Sequence, residues 1–211
     1  MKLLHVDASA KREWSNSRAL SRHFIDLLRQ QVPALDVDYL DVAADANPPA
    51  HVSEAFTVAT YTPAAQRTPA MKQTLEASDA LCKRVLEADA FVFAMPMYNF
   101  SMPSVFKAFI DNIVRTDLTY KVGADGSYQG QLAPEKVLFL TTRGADLRPG
   151  SPMAGMDALT PALRAAFAFL GVPSPTFVDA QPLTFSAVQE REAALVRAKA
   201  ELAALAQRWA A

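Results

Sequence analysis

The chain has a single cysteine, Cys82, among 211 residues. One thiol closes no internal disulfide and cannot build a cysteine-rich zinc cluster. The three histidines, His5, His23 and His51, are scattered without metal-ligand spacing. No apolar run approaches the roughly 20 residues needed to cross a bilayer. The N-terminus lacks the basic, apolar and small-residue order of a signal peptide, so a cytoplasmic location is expected, with no membrane partner. An excess of one charge sign is also missing: 21 Lys and Arg stand against 22 Asp and Glu, a net charge of -1. That leaves no electrostatic footprint for nucleic acid. G-x-G-x-x-G and G-x-x-x-x-G-K-[ST] are absent, which argues against a dinucleotide held in Rossmann fashion and against a P-loop NTPase. G-x-S-x-G and H-E-x-x-H are absent too, which removes the commonest hydrolase and metalloprotease signals. No repeat, low-complexity tract or linker divides the chain, so one domain over 1–211 is expected.

What is present alternates between strand and helix patterns. Lys2 to Val6 opens the chain as an apolar strand, and Val37 to Leu40 reads as a second, less buried one. Ala90-Phe91-Val92-Phe93-Ala94 and Val137 to Thr141 are buried strands, and Thr176 to Asp179 is a short last one. Between them, helical spacing joins Leu20, Phe24, Leu27 and Leu28, with Ser15 or Ser17 as the N-cap. It also joins Met71, Leu75, Cys82, Val85 and Leu86, which makes Cys82 a core residue. Further helices cover Phe106 to Ile113, Leu159 to Leu170 and Val188 to Trp209. Residues 41 to 70 read as a long surface connection with a helical turn at 52 to 60. Thr116 to Pro134, with Gly123-Ala124-Asp125-Gly126 inside it, reads as a β-hairpin excursion. Alternating strands and helices imply an α/β fold: a doubly wound, five-stranded parallel sheet of flavodoxin-like order 2-1-3-4-5 with helices on both faces.

In such a sheet ligands bind beyond the carboxyl ends of the strands. Three loops fall there. Ser9, Ser15, Asn16 and Ser17 lie between strand one and helix one, where short hydroxyls and free helix-start N–H groups can hold a phosphate. Helix capping alone would need one of them. Pro96-Met97-Tyr98-Asn99-Phe100 follows the central strand. Pro96 cannot extend the ladder and Asn99 favours a turn, so the strand ends in an aromatic, amide-bearing loop suited to a flat ligand with polar edges. Thr142-Arg143-Gly144-Ala145 follows the fourth strand, and Gly144 permits close backbone approach or positive φ. Asp7, at the end of strand one, would matter if the chain were a receiver-like regulatory module.

Together these loops resemble the FMN-dependent NADH:quinone reductases and NADH-azoreductases, the bacterial azoreductase family. The similarity continues through Phe106-Lys107, Phe109-Ile110-Asp111 and Phe167-Ala168-Phe169-Leu170-Gly171, and so covers nearly the whole chain. It implies one flavodoxin-like domain holding FMN without a covalent bond. Ser9 with Ser15-Asn16-Ser17 would hold its phosphate. The M-Y-N-F loop would lie along the isoalloxazine ring, and the Thr142 to Ala145 element would reach the pyrimidine side. The family's S-R-G-G is Thr-Arg-Gly-Ala here, and Asp146-Leu147-Arg148 lack the aromatic or histidine often found after it. The resemblance further implies a homodimer with active sites at the interface, and ping-pong hydride transfer through flavin N5. NADH or NADPH would be the donor, and quinones and azo compounds the acceptors, the azo compounds being cleaved to amines. The flavin carries the chemistry, so no catalytic side chain is assigned. Phe100, Tyr120 and Phe167 are expected to wall the substrate slot, Phe167 with core packing as the competing role. The rival function is a flavodoxin-type electron carrier without an organic substrate. Such carriers are typically short and acidic, whereas this chain is near neutral and carries an extra hairpin.

Overall fold

Three apolar runs form the centre of the sheet because each is buried on both faces, the pattern of a parallel sheet covered by helices. They are β1 (Lys2–Asp7), β3 (Ala90–Pro96) and β6 (Lys136–Thr142). The structure, a computed structural model, describes residues 1–43 and 48–211. β2 (Asp36–Asp41) and β7 (Thr176–Ala180) are the edges, and all five strands pair in parallel in the order β2-β1-β3-β6-β7. This is the 2-1-3-4-5 order expected from the sequence. The chain runs outward in opposite directions from the junction of β1 and β3, which makes that junction the switch point. At the carboxyl edge Asp7 pairs with Ala94, and Pro96 pairs with Thr142.

Side chains alternate along each strand, so the sheet separates two cores. On one face Leu4, Val6, Phe91, Phe93 and Phe139 pack with helices α3 (Pro69–Leu86), α4 (Ser104–Ile113) and α5 (Leu159–Phe169). On the other, Leu3, Val92, Leu138 and Leu140 pack with α1 (Asn16–Gln31) and α6 (Val188–Ala210). α4 shows why these helices form: Phe106, Phe109, Ile110 and Ile113 fall on one stripe, and all are buried. Cys82 lies within this packing, and burial pushes its thiol up to about 11, so it is an inert core residue.

The connection after β2 is more ordered than expected. Helix α2 (Glu54–Tyr61) starts where the Ser53 side chain accepts from the Phe56 N–H at 3.1 Å. Residues 44–47 of that connection lie outside the described residues. The hairpin forms as expected: β4 (Tyr120–Val122) pairs antiparallel with β5 (Tyr128–Gly130) as a separate two-stranded sheet. It docks on the end of α5, where Tyr120 meets Phe169 with ring centroids 4.9 Å apart. A Cβ on Gly130 would lie 2.1 Å from backbone atoms of Leu170 and Gly171, so only glycine lets the hairpin come this close.

Candidate functional site

A cleft of about 1170 Å³ opens at the carboxyl edge of the sheet, lined by all three loops singled out in the sequence. On one side is the β1–α1 loop. Ser15 is the N-cap of α1: its Oγ accepts from the Arg18 N–H at 3.4 Å and sits 3.2 Å from the Ser17 Oγ. Ser9, Ser15 and Asn16 line the cleft. Ser17 does not; it is buried behind Ser15. Short hydroxyls therefore share one end of the cleft with the first N–H groups of α1, which have no partner within the helix.

Beneath this loop lies a buried charged network. The Arg18 guanidinium donates to both carboxylate oxygens of Asp41 at 2.6 and 2.7 Å, and to the Ser9 carbonyl at 2.7 Å. Asp7 accepts from the Ser21 and Tyr39 hydroxyls, each at 3.0 Å, with His5 at 3.3 Å. Burial would raise the Asp7 carboxyl, but hydrogen bonds from His5, Ser21 and Tyr39 outweigh it and hold Asp7 below the usual carboxylate range. Burial, together with the charges of Asp7 and Asp41, pushes the Tyr39 phenol upward. Asp7 is thus a committed internal partner and does not open into the cleft, unlike the exposed aspartate a receiver-like module would need.

The β3–α4 loop forms the second wall. Tyr98 and Ser101 exchange both backbone hydrogen bonds at 3.0 Å, and the two residues between them, Asn99 and Phe100, have φ of 47° and 70°. This is a two-residue turn with both central residues left-handed. Asn suits that conformation and Phe does not. Of the four non-glycine residues with positive φ among the described residues, three line this cleft: Trp14, Asn99 and Phe100. Such conformations collect where backbone geometry serves a site. The turn leaves Tyr98 and Phe100 partly exposed toward the opening.

The β6–α5 loop closes the third side. The Met97 N–H donates to the Thr142 carbonyl at 2.8 Å, which ties the second and third loops together. Arg143 is among the lining residues, but its guanidinium is held by internal partners. It donates to Asp157 at 2.9 Å, to the Thr160 hydroxyl at 2.7 Å and to Asp179 at 3.3 Å. Burial of Asp157 is outweighed by hydrogen bonds from Thr160 and Arg143, which lower its pKa. Gly144 and Ala145 both keep ordinary φ, so the alanine in place of a second glycine is unstrained. A Cβ added at Gly144 would sit 3.3–3.4 Å from the side chains of Phe185 and Thr184, and the Gly144 carbonyl accepts N–H groups of Leu183, Thr184 and Phe185.

Two expected wall residues are elsewhere. Phe167 is fully buried in the core, 5.0 Å from Phe93 and 4.9 Å from Phe139 between ring centroids. α5 puts Leu159, Leu163 and Phe167 on one inward stripe, so Phe167 cannot wall a slot in its own chain. Tyr120 packs on Tyr128 and Phe169 at the hairpin and is outside the cleft of its own chain. Trp14, within the β1–α1 loop, lines the cleft as well, and so do Thr184 and Phe185, which the sequence reading does not include. The segment 181–185 leaves the carboxyl end of β7, so the rule that located the other loops also points to it.

Residues 1–206 match the family described as having a flavodoxin-like fold. The chain is 39% identical to FMN-dependent NADH:quinone oxidoreductase 1 of Trichormus variabilis, over 99% of this chain and 97% of that protein. The chain belongs to this oxidoreductase family. A second member, the FMN-dependent NADH:quinone oxidoreductase of Methylorubrum extorquens, is 36% identical over 97% of this chain and 98% of its own. Among solved structures, an azoreductase from Bacillus anthracis str. Sterne superposes with a TM-score of 0.88 at 22% identity, covering 99% of both chains. An FMN-dependent NADH-azoreductase from Bacillus anthracis str. Ames Ancestor, solved in complex with FMN, superposes with a TM-score of 0.87 at 21% identity. At those identities the family's shared fold is what the superpositions establish.

Proposed function

We propose that this chain binds one FMN non-covalently and passes electrons from NADH or NADPH to quinones, with azo compounds as slower acceptors that are cleaved to amines. The observation that carries the reading is that one cleft joins a hydroxyl-lined helix start to an aromatic left-handed turn. The first suits a phosphate and the second a planar ring. The family members' names point the same way. Ser9, Ser15 and Asn16 would hold the phosphate, with Ser17 orienting Ser15 from behind. Pro96 to Phe100 would lie along the ring, and Thr142, Gly144 and Ala145 would offer backbone groups to its polar edge, with Arg143 fixing that loop.

Bound FMN supplies a hydride acceptor and donor at N5, so that donor and acceptor can use one slot in turn. The chain's own contribution is to bind, orient and shield. Phe100 sits beside the opening and suits a stacking wall. Tyr120 could reach such a slot only from a second copy, which fits a homodimer with active sites at its interface. We further propose a cytoplasmic enzyme of one domain; among the described residues no helix is long and apolar enough to cross a membrane. Steady-state kinetics with NADH and a quinone test the function. Parallel double-reciprocal lines are expected. Intersecting lines would refute a shared slot, and absence of quinone-dependent NADH oxidation in flavin-loaded protein would favour an electron carrier.

A further inference from the structure

Arg18 occupies the first turn of α1, is 6% exposed and lines no part of the cleft. Its guanidinium nonetheless joins three elements that meet behind the β1–α1 loop. Nη1 and Nη2 grip the two carboxylate oxygens of Asp41 at the end of β2. Nη2 also donates to the Ser9 carbonyl, and Nη1 to the Tyr39 hydroxyl at 3.2 Å. Asp7 Oδ2, at the end of β1, is 3.6 Å from Nη1. The Nε is buried without a partner.

This is a poor arrangement for stability alone. Buried ion pairs are weak contributors against apolar packing of similar volume. What a guanidinium fork on a carboxylate supplies is fixed geometry, which an ammonium cannot reproduce. The atom so fixed is the carbonyl of Ser9, whose own residue lines the hydroxyl end of the cleft.

We propose that Arg18, braced by Asp41, is a positioning residue that presets the Ser9 segment to receive the phosphate of FMN. The proposal rests on the FMN reading above. Arg18 lines no part of the cleft, so it would act through the Ser9 backbone.

Riboflavin, which has the ring without the phosphate, separates this role from general packing. Dissociation constants for FMN and riboflavin are measured by fluorescence quenching on flavin-free wild type, Arg18→Lys and Asp41→Asn. Wild type should prefer FMN strongly; no preference would overturn the FMN phosphate site itself, before any variant is considered. Given that preference, Arg18→Lys should weaken FMN by at least about tenfold, the scale of one misplaced hydrogen bond to a charged group, with riboflavin affinity held within about twofold. Asp41→Asn should shift the same ratio in the same direction. Equal weakening of both flavins, or an unchanged ratio in both variants, would overturn the positioning role. If Arg18→Lys does not fold, the ratio in Asp41→Asn decides; loss of fold in both would show a structural clamp and overturn the proposal.

Discussion

Around Ser9 and Ser15 the cleft is lined by short hydroxyls on a loop held by buried charged side chains. Around Tyr98 and Phe100 it is lined by part-exposed aromatics carried on a strained two-residue turn. At the first end, side chains of Arg18 and Asp41 fix the backbone. At the second, backbone hydrogen bonds between Tyr98 and Ser101 fix the direction of the side chains. Under the FMN reading proposed above, the difference matches the ligand parts each end would hold. A phosphate needs several donors converging on one point, so the loop must be rigid before binding. A planar ring and an exchanging acceptor need wide apolar walls that remain open, so the aromatics are left partly uncovered.

The sharpest contrast is between an aromatic of the core and one of the wall. Phe167→Ala should cost roughly 3–5 kcal/mol of folding stability, because it empties a site among Phe93 and Phe139. The thermal midpoint should fall far while the quinone-to-azo ratio of kcat/KM stays put. A shifted ratio would return Phe167 to the slot.

Next comes the hydroxyl end. Ser15→Ala with Ser17→Ala should raise the FMN dissociation constant by the loss of about one hydrogen bond to a charged group, roughly 1.5–3 kcal/mol, because of these two only Ser15 lines the cleft. Riboflavin affinity should hold. Unchanged FMN affinity would place the phosphate elsewhere.

Phe100→Ala should act in the opposite sense to Phe167→Ala. An aromatic contact is worth roughly 0.5–1.5 kcal/mol beyond area burial, so acceptor preference should move up to about tenfold with little change in melting. Phe100→Gly should shift preference alike and melt higher, since glycine adopts φ of 70° without strain. A lower midpoint for the glycine variant than for alanine would show that the turn is not strained.

The smallest effect is a slope. Asp7 and Asp157 have folded-state pKa values below their ordinary ones. Such groups stabilise the fold above the unfolded value, about 4, and lose that contribution as pH falls through the lower folded value. Asp7→Asn should therefore flatten the acid side of the stability-against-pH curve. An unchanged slope would mean the network under the β1–α1 loop does not hold Asp7 ionised.

Much of this was legible in the chain. β3 and β6 announce themselves because burial on both faces demands continuous apolar runs, and the strand–helix alternation then orders the sheet. The three loops were legible because each follows a strand. The internal partners were not: Arg18 meets Asp41, 23 residues away, and Arg143 meets Asp179, 36 residues away. Nothing local marks such pairs, so the sequence does not show that the Arg143 charge is spent inside. Phe167 carries two readings in the sequence, slot wall and core packing, and the stripe it shares with Leu159 and Leu163 agrees with the second. Thr184 and Phe185 carry a weaker signal, because the edge strand before them is short and only partly buried.

The most direct test of the cleft as a flavin site is to purify the protein, reconstitute it with a mixture of FMN, FAD and riboflavin, remove excess, and identify what heat releases. The account predicts FMN, one per chain, in preference to both others, because only FMN matches a ring wall joined to a terminal phosphate site. Release of FAD, indifference between FMN and riboflavin, or no flavin at all would contradict it.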